Sequence, residues 1–107
     1  MNLSLDIAHG GPRPVVKIAG EIDVTTAQLL KTCLAKLVAS GHTSYELDLA
    51  GVTFMDSTGL GVVVGALKGA EANRGTVVIS HPQPRVARLF ALTGLSHFVE
   101  GQRSPTP

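Results

Sequence analysis

The chain has 107 residues, 44% of them hydrophobic and 16% charged, with a formal net charge of +1. That length bounds it to one domain with a core of useful size, and the apolar fraction argues against disorder. The scattered Lys and Arg form no basic stripe, which argues against nucleic acid as the primary ligand. The N-terminus has no basic segment followed by a long apolar one, no apolar run approaches the ~20 residues of a membrane span, and Cys33 has no second cysteine to pair with. The expectation is a cytoplasmic protein. Aromatics are 4% with no Trp, so the core rests on Val, Leu, Ile and Ala.

Leu3, Leu5 and Ile7 alternate with polar residues and predict a half-buried strand. His9-Gly10-Gly11-Pro12 is a turn, and residues 15–19 predict a second strand that forms a hairpin with the first. Gly20-Glu21-Ile22-Asp23 is expected to break that strand. A helix follows, with Thr25 or Asp23 as its N-cap. Its apolar stripe is Ala27, Leu30, Leu34, Leu37 and Val38, flanked by Leu29 and Cys33, and Gly41 is expected to end it as a left-handed cap.

Residues 44–49 predict a third strand, with Tyr45, Leu47 and Leu49 on one face and Glu46 and Asp48 on the other. A short connector carrying Val52 and Phe54 leads to Asp56-Ser57-Thr58-Gly59. Leu60, Val63, Val64, Leu67 and Ala70 then predict a second helix, although residues 62–64 alone would favour a strand. Asn73-Arg74-Gly75 closes it. Residues 76–80 predict a buried strand, and Pro84 suits the first turn of a third helix with Val86, Leu89, Phe90 and Leu92 as its apolar face. Gly94 ends that helix, and residues 95–99 form either a short strand or a cover over the core.

The order β-β-α-β-α-β-α predicts an α/β domain over residues 1–100, with a mixed four- to five-stranded sheet and three or four helices; residues 101–107 are read as a flexible tail. Loops that leave a strand and enter a helix lie at the carboxyl edge of parallel strands, where ligands and partners favour binding. Residues 20–25, 51–59 and 80–84 are such loops, so Asp23, Asp56, Ser57 and His81 are expected near one another on one rim. Asp56-Ser57-Thr58-Gly59 stands at a helix N-terminus, where free amides and the macrodipole favour an oxygen acceptor or an added phosphate. Purely structural readings stand beside these: Asp23, Asp56 and Ser57 as caps, His81 as a solvated loop residue, Cys33 as a small core side chain.

Two segments carry a resemblance, Gly20-Glu21-Ile22-Asp23 before a helix and the long run from Asp48-Leu49-Ala50-Gly51 through Asp56-Ser57-Thr58-Gly59-Leu60-Gly61. Together they resemble the STAS domain family, in particular the bacterial anti-sigma factor antagonists, and the likeness extends over nearly the whole chain. It implies a STAS-type fold and a phosphoprotein that takes part in partner switching over a sigma factor, and so in transcription regulation. By the resemblance, Ser57 is the phosphorylation site, with Thr58 a minor second candidate. Asp23, Asp56, Ser57, Thr58 and Gly59 are the partner-binding residues. The implied partner is an anti-sigma factor that is also a serine kinase, and a phosphatase acts on the phosphorylated form. The unphosphorylated chain would bind the anti-sigma factor and release the sigma factor.

The resemblance also leaves room for a STAS subunit of a stress-sensing assembly or of a lipid transport system. Catalysis is not expected. Thr58 separates Ser57 from Gly59, unlike the Asp-Thr/Ser-Gly of small dimeric aspartic proteases, and no Gly-x-Ser-x-Gly elbow surrounds Ser57. His9, His42, His81 and His97 are too widely spaced to suggest a metal site, and no cofactor is expected.

Overall fold

The computed structural model describes residues 2–99, and the tail expected at residues 101–107 lies outside them. Four strands form one sheet in the order β1-β2-β3-β4: β1 Leu3–Ala8, β2 Val15–Ile22, β3 Tyr45–Met55 and β4 Val77–Ser80. β1 and β2 form the predicted antiparallel hairpin, while β2, β3 and β4 run parallel. Helix α1 spans Ala27–Ala39, α2 Ser57–Ala72 and α3 Pro84–Leu92. Both crossovers step the same way across the sheet. The right-handed rule for such connections therefore puts α1 and α2 on one face.

That face holds the core. Val16, Ile18, Leu47, Leu49, Val52 and Ile79 from the strands meet Leu30, Leu34, Val63, Leu67, Val86 and Phe90 from the helices, all essentially buried. Lys17 and its register neighbours Asp6 and Asp48 stand in a cross-strand row of alternating sign on β1, β2 and β3. Such pairs contribute roughly 0.2–1 kcal/mol each.

Two strands run further than the sequence pattern suggests. Gly20-Glu21-Ile22 does not break β2 but continues it, and Val52 and Phe54 lie in β3 rather than in a connector. The cause is a pair of bulges. Between the pairings Lys17↔Asp48 and Ala19↔Gly51, and again between Gly20↔Val52 and Glu21↔Phe54, β3 carries one residue more than β2. Each bulge resets the two-residue period. Alternation is visible at Tyr45, Leu47 and Leu49, then slips to Val52 and again to Met55.

Each helix closes with the same device. A residue past the end takes a left-handed conformation, and the next amide reaches back to a carbonyl five residues earlier: His42 N–H to Leu37 C=O, Gly75 N–H to Ala70 C=O, Leu95 N–H to Phe90 C=O. The left-handed residues are Gly41, Arg74 and Gly94. In α2 the glycine is not the one that turns. Gly75 is held for another reason, since a Cβ there would run into the Thr43 backbone.

Two members of the predicted apolar faces are outside the core: Val38 is 38% exposed and Leu92 is 77% exposed. Leu29 is also exposed, and Cys33 is half-buried beside the core. Residues 95–99 add no fifth strand. Ser96–Phe98 form a 3-10 turn, and Val99 makes a single parallel bridge to Ile79 at the β4 edge.

Candidate functional site

The ends of β2 and β3 place the site. Ile22 pairs with Met55, and the Asp56 amide donates to the Ile22 carbonyl at 3.2 Å. The following residues, Asp23 and Asp56, therefore leave the sheet side by side. Asp56 is the N-cap of α2, its Oδ1 accepting from the Gly59 amide at 3.0 Å. Ser57 and Thr58 are the first residues of the helix and are exposed. Their amides stand in the first turn, where no intrahelical acceptor exists. Gly59 is buried against β2: a Cβ there would lie 2.6 Å from the Ile22 carbonyl oxygen. This glycine lets the first turn of α2 press onto the strand end and lifts Ser57 clear of it.

Asp23 organises the other half. Its Oδ1 accepts from the Thr25 amide at 2.9 Å, the Thr25 hydroxyl at 2.7 Å and the Thr26 amide at 3.2 Å. The Thr26 hydroxyl accepts from the Asp23 amide at 2.9 Å and donates to the Glu21 carbonyl at 2.6 Å. Of the two cap candidates for α1, Thr25 and Asp23, it is Asp23 that bonds the amides. The helix proper starts after Thr26, and Asp23 supplies the side-chain bonds for the entry turn. The Thr25 hydroxyl, chiefly, holds the Asp23 carboxyl below its ordinary ionisation range, against the opposing effect of burial. Asp23 Oδ2 is buried and has no hydrogen-bond partner among the described residues.

The structure thus brings Asp23, Asp56, Ser57, Thr58 and Gly59 onto one rim. His81 is not there. β4 ends where Ser80 pairs with Asp48, and β3 runs on from Asp48 to Met55, roughly 20 Å of strand. His81 sits instead beside Asp48, Nδ1 to Oδ1 3.5 Å, in a left-handed backbone conformation. His81 would share the rim only if the three parallel strands ended together, and they do not. β4 is short, and α3 packs against β3 instead, with the Gln83 side chain donating to the Ala50 carbonyl at 2.8 Å.

Three further residues belong to this surface. Thr26 is a buried clamp, and its signal was the Asp-x-x-Thr spacing that allows two reciprocal side-chain-to-amide bonds. Val24, 73% exposed, and Phe54, 36% exposed, set apolar contacts beside the two aspartates. Nothing in the local pattern marked either as exposed, since apolar residues at strand ends are ordinarily core. Among the described residues no three His, Cys, Asp or Glu side chains converge as a metal site would require. No helix among them is long and apolar enough to cross a membrane.

A family model described as the STAS domain matches residues 6–106. An anti-sigma-B factor antagonist of Bacillus subtilis (strain 168) is 37% identical over 100 residues, which is 94% of this chain and 91% of that protein. One from Listeria monocytogenes serovar 1/2a is 38% identical over 101 residues, 94% of this chain and 89% of that protein. Among solved structures, an anti-sigma factor antagonist from Mycobacterium paratuberculosis aligns with a TM-score of 0.81 at 26% identity, covering 98% of this chain and 87% of that one.

Proposed function

This chain belongs to the STAS domain family, and from that premise we propose that it acts as an anti-sigma factor antagonist switched by phosphorylation of Ser57. The observation that carries the reading is the placement of Ser57: exposed on the first turn of α2, behind the Asp56 cap and beside Asp23. Relatives over 94% of this chain bear the name anti-sigma-B factor antagonist.

In the unmodified state the rim of Asp23, Asp56, Ser57, Thr58 and Gly59, with Val24 and Phe54, meets the anti-sigma factor, and the sigma factor is released. The same partner, acting as a serine kinase, transfers a phosphoryl group from ATP to the Ser57 hydroxyl. Thr58, also exposed on the same turn, is the minor acceptor. The chain is the substrate of that reaction, and a phosphatase reverses it.

The phosphate is tolerated in the free protein because α2 presents unpaired amides and the positive end of its dipole there. It is not tolerated in the complex. One partner carboxylate about 4 Å away, at an effective dielectric of ~20, costs ~4 kcal/mol per pair of unit charges. That is close to three decades in Kd. The switch therefore needs no refolding of the loop.

Incubation with serine-kinase anti-sigma factors from the same cell and ATP should add one phosphate, located on Ser57 by mass spectrometry. Ser57→Ala should keep partner binding, and Ser57→Glu should lose it by a hundredfold or more. Phosphate appearing elsewhere, or full binding by Ser57→Glu, would overturn the reading.

A further inference from the structure

Helices α1 and α2 lie side by side on the sheet without filling the space between them. A cleft of about 590 Å³ runs along their seam. Its apolar walls come from Leu34 and Val38 on α1 and from Val62 and Ala66 on α2. The sequence explains the gap. Gly61, Gly65 and Gly69 fall four residues apart on one face of α2, and a Cβ built at any of them meets no atom within 4 Å. A glycine face usually lets a neighbouring backbone come close. Here nothing does.

Two polar side chains in the cleft have no counterpart in the protein. Tyr45 lines it from the start of β3; the residue is 2% exposed, and its hydroxyl, which is not sealed from the cleft, makes no hydrogen bond to any described residue. Burial pushes its ionisation up, so it stays a neutral donor. Lys31 is the one cation lining the cleft, no carboxylate lines it, and Lys31 forms no ion pair among the described residues.

We propose that the α1–α2 cleft is a binding site for a small amphipathic carboxylate. Its apolar body lies against Leu34, Val38, Val62 and Ala66, its carboxylate meets Lys31, and the Tyr45 hydroxyl donates to a second oxygen on the molecule. Size and lining match the general build of small-molecule sites, mostly apolar with a few placed polar groups. The absence of any lining acid selects an anion over a cation. Thr58 lines the cleft next to Ser57, so an occupant would touch the rim that the kinase reads. That regulatory consequence rests on the reading of Ser57 above, whereas binding itself does not.

The test is a titration of the unmodified chain, followed by amide NMR, with 10-hydroxydecanoate, decanoate and 1,10-decanediol. Saturable shifts should map to α1 and α2 around the cleft, with 10-hydroxydecanoate binding tightest. Lys31→Ala should weaken both acids about two- to fivefold and leave the diol unchanged. Tyr45→Phe should remove the advantage of the hydroxy acid, about three- to tenfold. Gly65→Leu, with Gly61→Leu as a second blocker, projects into the open space and should abolish binding while the sheet resonances stay in place. No saturable shift with any probe, equal affinity for acid and diol, or binding that survives both glycine variants would overturn the proposal, whatever the fate of Ser57.

Discussion

Asp23 holds the entry of α1 through one carboxylate oxygen that gathers donors from Thr25 and Thr26. These bonds, the Thr25 hydroxyl first, keep the acid below its ordinary 3.8. A group whose folded pKa is depressed stabilises the fold fully above the unfolded value and loses that contribution as pH falls through the folded one. Urea midpoints measured from about pH 5 down to pH 2 should therefore fall, and Asp23→Asn should flatten part of that slope. An unchanged slope in the variant would remove Asp23 as the cause. Asp56→Ala removes the cap of α2 and should lower stability by about 1 kcal/mol in chemical denaturation. Cys33 supplies a third check. Burial raises its thiol pKa above the ordinary 9.0, and Lys36 opposes this only partly, so alkylation by iodoacetamide at neutral pH should be slow in the folded chain and fast in denaturant.

The elements read from periodicity are all present, and their errors are confined to places where periodicity fails. Strand β3 was expected to stop at Leu49 because alternation stops there. The bulges after Asp48 and after Val52 carry the strand on to Met55. This extra length sets the two aspartates next to each other, so the bulges are part of the site. Gly59 is the second element-level device. Gly59→Ala forces a Cβ against the Ile22 carbonyl and should cost about 1–3 kcal/mol and displace the first turn of α2, seen as altered amide shifts at Asp56 and Ser57. By contrast, Arg74 takes the left-handed cap of α2 although it bears a side chain. Arg74→Gly should raise the denaturation midpoint, by up to about 1 kcal/mol, and no loss of helix should accompany it.

At the scale of the molecule, the parallel arrangement of β2, β3 and β4 is what makes a single rim from distant parts of the chain. The unequal strand lengths decide who is on it. His81 follows a four-residue strand and is left beside Asp48, while Asp23 and Asp56 follow strands that end together. Phe90 and Val86 on α3 fill the part of the core beside β3 that a longer β4 would have covered, and both are fully buried. Phe90→Ala should cost about 3–5 kcal/mol in a single cooperative transition. A loss below about 1 kcal/mol would mean that α3 is only loosely attached.

The sequence by itself determined the element order, the hairpin, the helix stops at Gly41 and Gly94, and the Asp56-Ser57-Thr58-Gly59 run at a helix start. These are local facts, written in periods of two and 3.6 residues and in residues with special backbone freedom. The family likeness was legible for the same reason, in contiguous motifs. Only the tertiary structure decided where β2 and β3 end, because a bulge is a relation between two strands and leaves no period in either. Likewise it moved His81 off the rim, exposed Val24, Phe54, Val38 and Leu92, and opened the cleft between α1 and α2. Each of these depends on what a neighbouring element covers, and burial is a property of the pair of surfaces that meet.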